Sequence, residues 1–289
     1  MTFILLIATL ALLRPAAAFA EDLSIAVRPT QVLQGGVAEI VISGPVIADL
    51  KVRRGADDIP IFQTEPGTYA ALVGIDMDEK PGKVEIAMSG KSSEEAWSRT
   101  AAINVRRKDF PREEISVPPA FDQLDAATLE RIKKEQALLK ALWKVRSPTR
   151  LWQEPFAAPV PVKVNSAFGF RRVVNGLARA PHEGVDLKAA LGAPVAAAND
   201  GRVVLEDNLF FSGNSLFLDH GGGLYTMYFH LSEFRVPTGA LVRKGDVIGL
   251  AGMTGRVTGP HLHWGARLNG ARIDPLDLLA LQGQSRSPQ

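Results

Sequence analysis

Short β-type segments separated by glycine and proline recur along most of this sequence, and they restrict it to a mainly β fold. Between Leu23 and Phe110 the runs VAEIVIS, GTYAALVGI, KVEIAMS and TAAINVRR alternate with turn signals such as Gly35-Gly36 and Pro66-Gly67. Their number and spacing predict an immunoglobulin-like β-sandwich over residues 21–110. Residues 153–289 contain 18 of the 26 glycines, which predicts tight hairpins and bulges in a second β domain at 151–289.

A different pattern separates these two regions and predicts a linker over residues 111–150. It opens with the proline-rich stretch FPREEISVPP and continues as DAATLERIKKEQALLKALWKV. Asp125 is a suitable N-cap, and Leu129, Ile132, Leu139 and Trp143 recur at helical spacing. We therefore expect one amphipathic helix of about five turns, packed on a neighbouring domain.

The N-terminus has the features of a secretory signal peptide. A short apolar run is followed by the small-x-small pattern Ala18-Phe19-Ala20, which predicts cleavage after Ala20. The alternative is a membrane anchor, but Arg14 and Pro15 interrupt the run well below the roughly 20 residues that a spanning helix needs. The sequence thus predicts residues 1–20 as a signal peptide, export to the periplasm or cell envelope, and no stable membrane anchor.

Composition excludes several kinds of chemistry. The chain has no cysteine, so it has no disulfides and no thiolate nucleophile, and any metal must bind to His, Asp or Glu. The net charge is +2, and the two predicted β regions carry nearly balanced charge, with 11 basic and 14 acidic residues at 21–110 and 13 and 11 at 153–289. Neither region has the basic surface typical of nucleic-acid binding.

All five histidines lie between residues 182 and 263. In GPHLHWGA, His261 and His263 alternate with Leu262, so in a strand both imidazoles lie on one face, with Cα atoms roughly 6.5 Å apart. HEGVD, starting at His182, resembles half of the helical zinc motif H-E-x-x-H, but Pro181 and Gly184 disfavour a helix. A fully extended segment would separate positions 182 and 186 by about 13 Å, so we expect a bent strand in which Gly184 lets the chain turn and Glu183 points away.

These motifs resemble the M23, or LytM-type, zinc endopeptidases that cut peptidoglycan peptides. The resemblance covers about residues 155–280 and rests on separated motifs in the same order, namely SAFGFRR, HEGVDL, LDHGGGLYTMYFHLS, GPHLHW and DPLDLL. It implies a small antiparallel β catalytic domain with an open groove. One departure is Gly265, where many members of the family have an acidic residue.

The resemblance also implies roles for individual residues. His182, Asp186 and His263 would bind one zinc ion, leaving a fourth position for water, as is usual in catalytic sites. His261 and His230 would form the catalytic pair, one as the base and the other stabilising the oxyanion, in an order that the sequence leaves open. His220 is expected to bond to the backbone instead.

Two further expectations concern the substrate and a rival function. Arg171, Arg172 and Arg179 could bind substrate carboxylates, although such a run is more often a solvated loop. The sequence as a whole predicts a zinc metalloendopeptidase acting on peptidoglycan stem peptides or cross-links. The alternative is a non-enzymatic regulator with cell-wall protein partners, since some members of the family bind and activate cell-wall amidases. Those members usually lack the zinc ligands, which this chain retains.

Overall fold

The structure is a computed structural model that describes residues 23–44, 47–92, 95–116, 124–145 and 147–280. The predicted signal peptide lies outside these residues, as do residues 117–123 of the linker. No helix within the described ranges is long and apolar enough to cross a membrane.

The N-terminal region consists of two facing β-sheets. One has the order β1-β3-β7-β6 and the other β2-β9-β8-β4-β5. Alternating apolar residues of both sheets, such as Ile40, Val73, Ile86 and Ile103, meet in one core. The prediction of a mainly β chain is confirmed, whereas the immunoglobulin type of this sandwich stays a prediction. The strands are β1 Ser24–Arg28, β2 Gln31–Leu33, β3 Val37–Ser43, β4 Ile47–Arg54, β5 Asp57–Ile59, β6 Ile61–Glu65, β7 Thr68–Gly74, β8 Gly82–Ser92 and β9 Glu95–Arg106.

The C-terminal region is built on one large sheet with the order β11-β14-β21-β18-β17-β16-β19, to which β15, β20 and β22 are attached. A small sheet has the order β10-β12-β13. The elements are β10 Arg112–Ile115, β11 Val164–Ser166, β12 Arg171–Val174, β13 Leu177–Ala178, β14 Gly184–Leu187, β15 Pro194–Ala196, β16 Gly201–Leu209, β17 Gly213–Asp219, β18 Leu224–Phe234, β19 Leu241–Val242, β20 Val247–Ala251, β21 Leu262–Leu268, β22 Ala271–Ile273 and the short helix α2 Pro275–Ala280.

The proline-rich start of the linker is more ordered than its composition suggested. Its residues 112–115 form β10, which pairs in parallel with β12 of the C-terminal region. Just before it, Phe110 packs edge-on against Phe168, with ring centroids 6.1 Å apart. Proline is disfavoured in the centre of a sheet but tolerated at the ends of an edge strand. The residues between the prolines of this segment can therefore pair with a neighbouring strand.

The helix α1, Ala126–Leu142, lies in the second half of the linker and packs on the C-terminal domain. Asp125 caps it by accepting a hydrogen bond from the Thr128 amide at 2.7 Å. Leu139 and Trp143 pack against a small core that includes Phe217. Leu129 departs from the expected apolar stripe, because it is 46% exposed.

Trp143 fixes the end of this helix, and its removal should destabilise the domain. Its ring lies 5.5 Å from that of Tyr225 and 5.8 Å from that of Phe217, and the Arg267 guanidinium lies 4.9 Å from it. We expect Trp143→Ala to lower the free energy of unfolding by about 2–3 kcal/mol, below the full cost for a core tryptophan because Trp143 is only half-buried. Chemical denaturation measures this change. The exposed Leu138 on the same helix is the control, and Leu138→Ala should cost less than about 0.5 kcal/mol.

The two β regions pack directly on each other. Leu72 and Met77 of the N-terminal region belong to the same buried cluster as the core of the C-terminal sheet. At the edge of this interface Arg272 donates hydrogen bonds to both Asp76 and Asp78. The Arg272 guanidinium therefore binds carboxylates that lie nearly 200 residues earlier in the chain, and these charged hydrogen bonds join the two regions at a specific interface.

Asp277, in the first turn of α2, makes this interface sensitive to pH. It faces Gly36 of the N-terminal region. Burial and repulsion from Asp274 raise the pKa of its carboxyl to about 6, although the positive charge of Lys108 partly offsets the shift. A raised folded-state pKa means that stability falls as pH rises from about 4 to about 6 and stays reduced above that. Asp277→Asn should therefore be more stable than the wild type by about 1–2 kcal/mol near pH 7.5, allowing for solvent screening, and about equal to it near pH 4.

Thermal unfolding at the two pH values measures the difference between variant and wild type. Glu95→Gln removes an exposed carboxylate on β9 and is the control, with an expected change below about 0.5 kcal/mol at both pH values. A gain in Asp277→Asn that is the same at both pH values would contradict the titration of this carboxyl.

Candidate metal centre

Two paired strands bring the central residues together. β14 and β21 are antiparallel neighbours, and their register places Asp186 directly opposite His263. His182 lies just before β14, and its main-chain amide bonds to the Phe170 carbonyl. The bend expected between His182 and Asp186 is present, since the His182 Nε2 and Asp186 Oδ1 atoms are 2.9 Å apart.

Three donor atoms converge on one point. His182 Nε2 lies 2.9 Å from His263 Nδ1, and His263 Nδ1 lies 3.0 Å from Asp186 Oδ1. All three residues are buried or half-buried, with side-chain exposures of 11–16%. Within the described residues, this is the group of His, Cys, Asp and Glu side chains that could hold a metal ion.

The chemistry of these donors fits a zinc ion. The His182 Nδ1 donates its hydrogen to the Ala167 carbonyl at 2.8 Å, so a neutral ring presents the lone pair of Nε2 to the centre. Burial by itself raises the pKa of the Asp186 carboxyl, but hydrogen bonds and charge from His182 and His263 lower it well below its usual range. Two neutral imidazoles with one carboxylate form a ligand set that catalytic zinc sites use.

Gly184 has a different role from the expected one. It is not in the left-handed region, and it lies in β14 opposite Gly265. A Cβ at this position would come within 2.6 Å of His263 Nε2 and 2.4 Å of the Trp264 carbonyl oxygen. The residue is therefore needed for the close approach of β21 and its histidine rather than for a turn.

His230 and His261 lie beside the three donors, with ring centroids 4.9 Å apart. Each is held by its Nδ1, which donates to a main-chain carbonyl at 2.9 Å, Thr254 for His230 and Gly259 for His261. Neutral rings in this tautomer present the lone pair of Nε2. Burial, helped by the charge of His263, lowers the pKa of His230 to about 4.

The backbone at His230 is strained. Its φ is 64°, in the left-handed region that residues other than glycine rarely adopt, and it coincides with an irregularity in the pairing of β17 with β18. Such a bulge re-aims a side chain at a cost of about 1–3 kcal/mol. Here it lets β18 direct His230 to the cluster while Phe229, one residue earlier, stacks on the His263 ring with centroids 5.1 Å apart.

The structure places the other candidate residues away from the three donors. His220 is fully buried and bonds to the Asp200 carbonyl and the Thr226 hydroxyl, as expected for a structural histidine. Glu183 points away, because Arg267 donates to its carboxylate at 2.7 Å. Gly265, where many members of the family have an acidic residue, lies in β21 directly opposite Gly184 of β14.

The three candidate arginines are not gathered at the donors. Arg171 forms an ion pair with Asp78 of the N-terminal region at 2.7 Å. Arg179 is exposed just beyond β13. Arg172 pairs through its backbone with Glu113 in β10, and its side chain lies outside the described part of the structure. A role in substrate binding stays a prediction for Arg179 and Arg172, while Arg171 is already engaged by a carboxylate.

Some contributors to the site could not be identified as such from the sequence. The main-chain carbonyls of Ala167, Thr254 and Gly259 fix the tautomers of three histidines. Every residue has such a carbonyl, so the residue types do not predict these contacts. Phe229 precedes His230 in a β-type run, but its stacking on the His263 ring depends on the pairing of β18 with β21.

Comparisons with known proteins agree with this geometry. Residues 180–275 match the model of peptidase family M23. DD-carboxypeptidase/endopeptidase Mpg of Neisseria meningitidis serogroup B is 40% identical over 116 residues, which are 40% of this chain and 27% of that protein. Peptidoglycan DD-endopeptidase ShyA of Vibrio cholerae is 40% identical over 115 residues, 39% of this chain and 27% of that protein.

The likeness to these curated relatives is confined to one part of each, because this chain spans 27% of their length. A solved structure extends it. A Pseudomonas aeruginosa crystal structure assigned to peptidase M23 is 28% identical, with a TM-score of 0.67, and the match covers 86% of this chain and 94% of that one. The residues that match the family model, 180–275, contain all three donor residues and both flanking histidines, and this part of the chain is a peptidase family M23 domain.

Proposed function

We propose that this protein is a zinc metalloendopeptidase that hydrolyses peptide bonds in peptidoglycan stem peptides or cross-links. The observation that carries the proposal is the convergence of His182, Asp186 and His263 within 3.0 Å, with His230 and His261 beside them. The names of the relatives support the substrate class, since they include peptidoglycan DD-endopeptidases.

His182, Asp186 and His263 would hold the zinc ion, which when bound supplies Lewis acidity and lowers the pKa of a coordinated water. The flanking histidines then handle protons. Because main-chain carbonyls hold the Nδ1–H groups of His230 and His261, each ring offers the lone pair of Nε2 whenever it is neutral and can then accept a proton. A ring that has accepted a proton can then return it to the leaving amine or donate a hydrogen bond to the oxyanion.

The low pKa of His230 bears on the division of these roles. A ring with a pKa of about 4 is neutral near pH 7, and its only N–H already bonds to the Thr254 carbonyl. His230 thus enters the reaction as an acceptor and can stabilise an oxyanion only after taking up a proton. His261 Nε2 lies 3.6 Å from Asp186 Oδ1, so this ring would be placed to accept or return a proton beside the position that the three donors enclose.

Peptidoglycan lies outside the cytoplasmic membrane, so this function requires export. The signal peptide predicted over residues 1–20 would provide it. The N-terminal β region carries no catalytic group in this proposal and contributes through its contacts with the C-terminal sheet.

Mass spectrometry of fragments released from purified peptidoglycans of different cross-link chemistry tests the proposal. We expect the full chain with zinc to release peptides with new amino termini from at least one of them, and the position of the new terminus identifies the bond. A regulator would release none from any cross-link type, even with zinc bound. In that event amidase activation by the same samples would be the function to measure.

A further inference from the structure

A pocket of about 550 Å³ opens beside His261, on the side of the metal centre where β11 begins and β14 ends. It is bounded by Pro260 and His261 on one side and by two strand ends on the other. The residues that line it there are Asn165 in β11, Lys163 just before β11, and Lys188, Ala189 and Ala190 just after β14. Because His261 forms part of its wall, a group in this pocket lies next to the proposed reaction centre.

Strand geometry directs both lysines to this pocket. Lys188 lies two residues after Asp186, and side chains two apart in extended chain share a face, whereas the intervening Leu187 is fully buried. The amide of Lys188 donates to the carbonyl of Lys163 at 2.9 Å, so the two residues are neighbours across the β11–β14 pair. The face that carries the metal ligand therefore continues into a pair of ammonium groups.

Among the residues that the structure describes, these ammonium groups have no carboxylate partner. Both side chains are exposed, and neither forms an ion pair with any carboxylate among the described residues. Other lysines are paired, such as Lys108 with Asp274 at 2.9 Å and Lys244 with Glu154 at 3.4 Å. No acidic residue of the described ranges lines the pocket, so the charged groups there are two cations that repel each other until an anion joins them.

We propose that Lys163 and Lys188 bind a carboxylate of the substrate close to the scissile bond, and this inference rests on the proposed function. The recognised group is a free carboxylate on the residue that occupies the pocket. It is either a chain-terminal carboxylate or one carried off the main chain by a branched residue. Conversion of that group to a carboxamide would remove the charge and leave two ammonium groups without a partner in the complex.

Lysines on an edge strand also protect against edge-to-edge aggregation, and β11 is the edge of its sheet. That role predicts that the lysines affect solubility and not the choice of substrate. The two explanations therefore differ in whether neutralising the lysines changes a preference between two peptides.

The test uses the full chain and three synthetic cross-linked stem peptides. One has all carboxylates free, one has the chain-terminal carboxylate amidated, and one has the off-chain carboxylate next to the scissile bond amidated. Binding is measured by calorimetry on zinc-free protein, where no cleavage interferes, and kcat/KM is measured on zinc-loaded protein. The variants are Lys163→Gln, Lys188→Gln and both together, with Lys134→Gln on the exposed face of α1 as control.

We expect one of the two amidations to weaken binding to wild type and Lys134→Gln by about tenfold at low salt, with a smaller effect at high salt. Which amidation does so identifies the source of the carboxylate. The double variant should bind all three peptides alike. Equal binding by the wild type, or a preference that survives in the double variant, overturns the proposal. If the lysines are needed for a preference between free and amidated peptides but no peptide is cleaved, the carboxylate site is supported and the peptidase function is contradicted. If the peptides are cleaved without such a preference, the peptidase function is supported and the carboxylate site is contradicted.

Discussion

Asp186→Ala is expected to abolish tight zinc binding, with affinity falling by more than about 100-fold. The substitution removes one of three donors that lie within 3.0 Å of one another. Loss of a residue that only supports a ligand already costs about 10- to 100-fold, so loss of a ligand should cost more. His182→Ala and His263→Ala should behave in the same way. Elemental analysis of purified protein after dialysis gives the zinc content.

Glu183→Gln is the matched control for this experiment. Glu183 is adjacent to His182 in the sequence, yet its carboxylate is held by Arg267 and Arg272 rather than facing the donors. We expect this variant to keep one zinc per chain. Equal zinc content in the wild type and in folded Asp186→Ala would contradict the ligand set, and loss of zinc in folded Glu183→Gln would show that this carboxylate takes part in metal binding.

His261→Ala should retain zinc and the fold but lose turnover by a factor of about 10² to 10⁴, the usual contribution of a general acid or base. The reason is geometric. His261 Nε2 lies 3.6 Å from Asp186 Oδ1 and outside the set of three donors, whereas His263, two residues later, lies within it. The measurement is the rate of amine release per zinc-loaded molecule, with zinc content determined on the same sample.

His220→Gln controls for the loss of a histidine as such. His220 is buried against Phe156 and bonds to Asp200 and Thr226, away from the metal centre. We expect it to lower stability while leaving turnover per folded, zinc-loaded molecule within about twofold of the wild type. If His261→Ala kept full turnover, the assignment of proton transfer to this ring would be wrong.

The sequence predicted the parts of the site that follow from strand periodicity. Alternation placed His261 and His263 on one face, and the pairing of β14 with β21 then brought Asp186 opposite His263. The N-cap at Asp125 could also be predicted, because an Asp side chain that precedes a run of helical periodicity commonly accepts a hydrogen bond from an amide of the first turn. Local rules of this kind depend on neighbours in the chain and so are visible in it.

Features set by distant contacts were not readable in this way. Arg171 looked available for a substrate carboxylate, but it pairs with Asp78, which lies 93 residues earlier. The left-handed conformation of His230 arises from the irregular pairing of β17 with β18, and no residue type near it signals a bulge. Gly184 was predicted to be important, but as a turn residue. The actual requirement for glycine is the close approach of His263 and Trp264 from another strand, which the local sequence does not show.

The linker shows the same limit. Its prolines suggested a spacer between domains, but β10 joins the sheet of β12, and α1 covers Phe217 and Met227 of the C-terminal domain. A boundary drawn at residue 151 would therefore separate the C-terminal sheet from part of its own core. The apolar pattern of α1 indicated that it packs on something, whereas the identity of the partner depends on the tertiary fold.

The peptidase function is decided by amine release from purified peptidoglycan. The zinc-loaded full chain is compared with His261→Ala, and zinc is measured on both samples. We expect equal zinc content, new amino termini from the wild type, and a release rate at least about 100-fold lower from His261→Ala. Full zinc occupancy with no release from any cross-link chemistry would contradict the peptidase function.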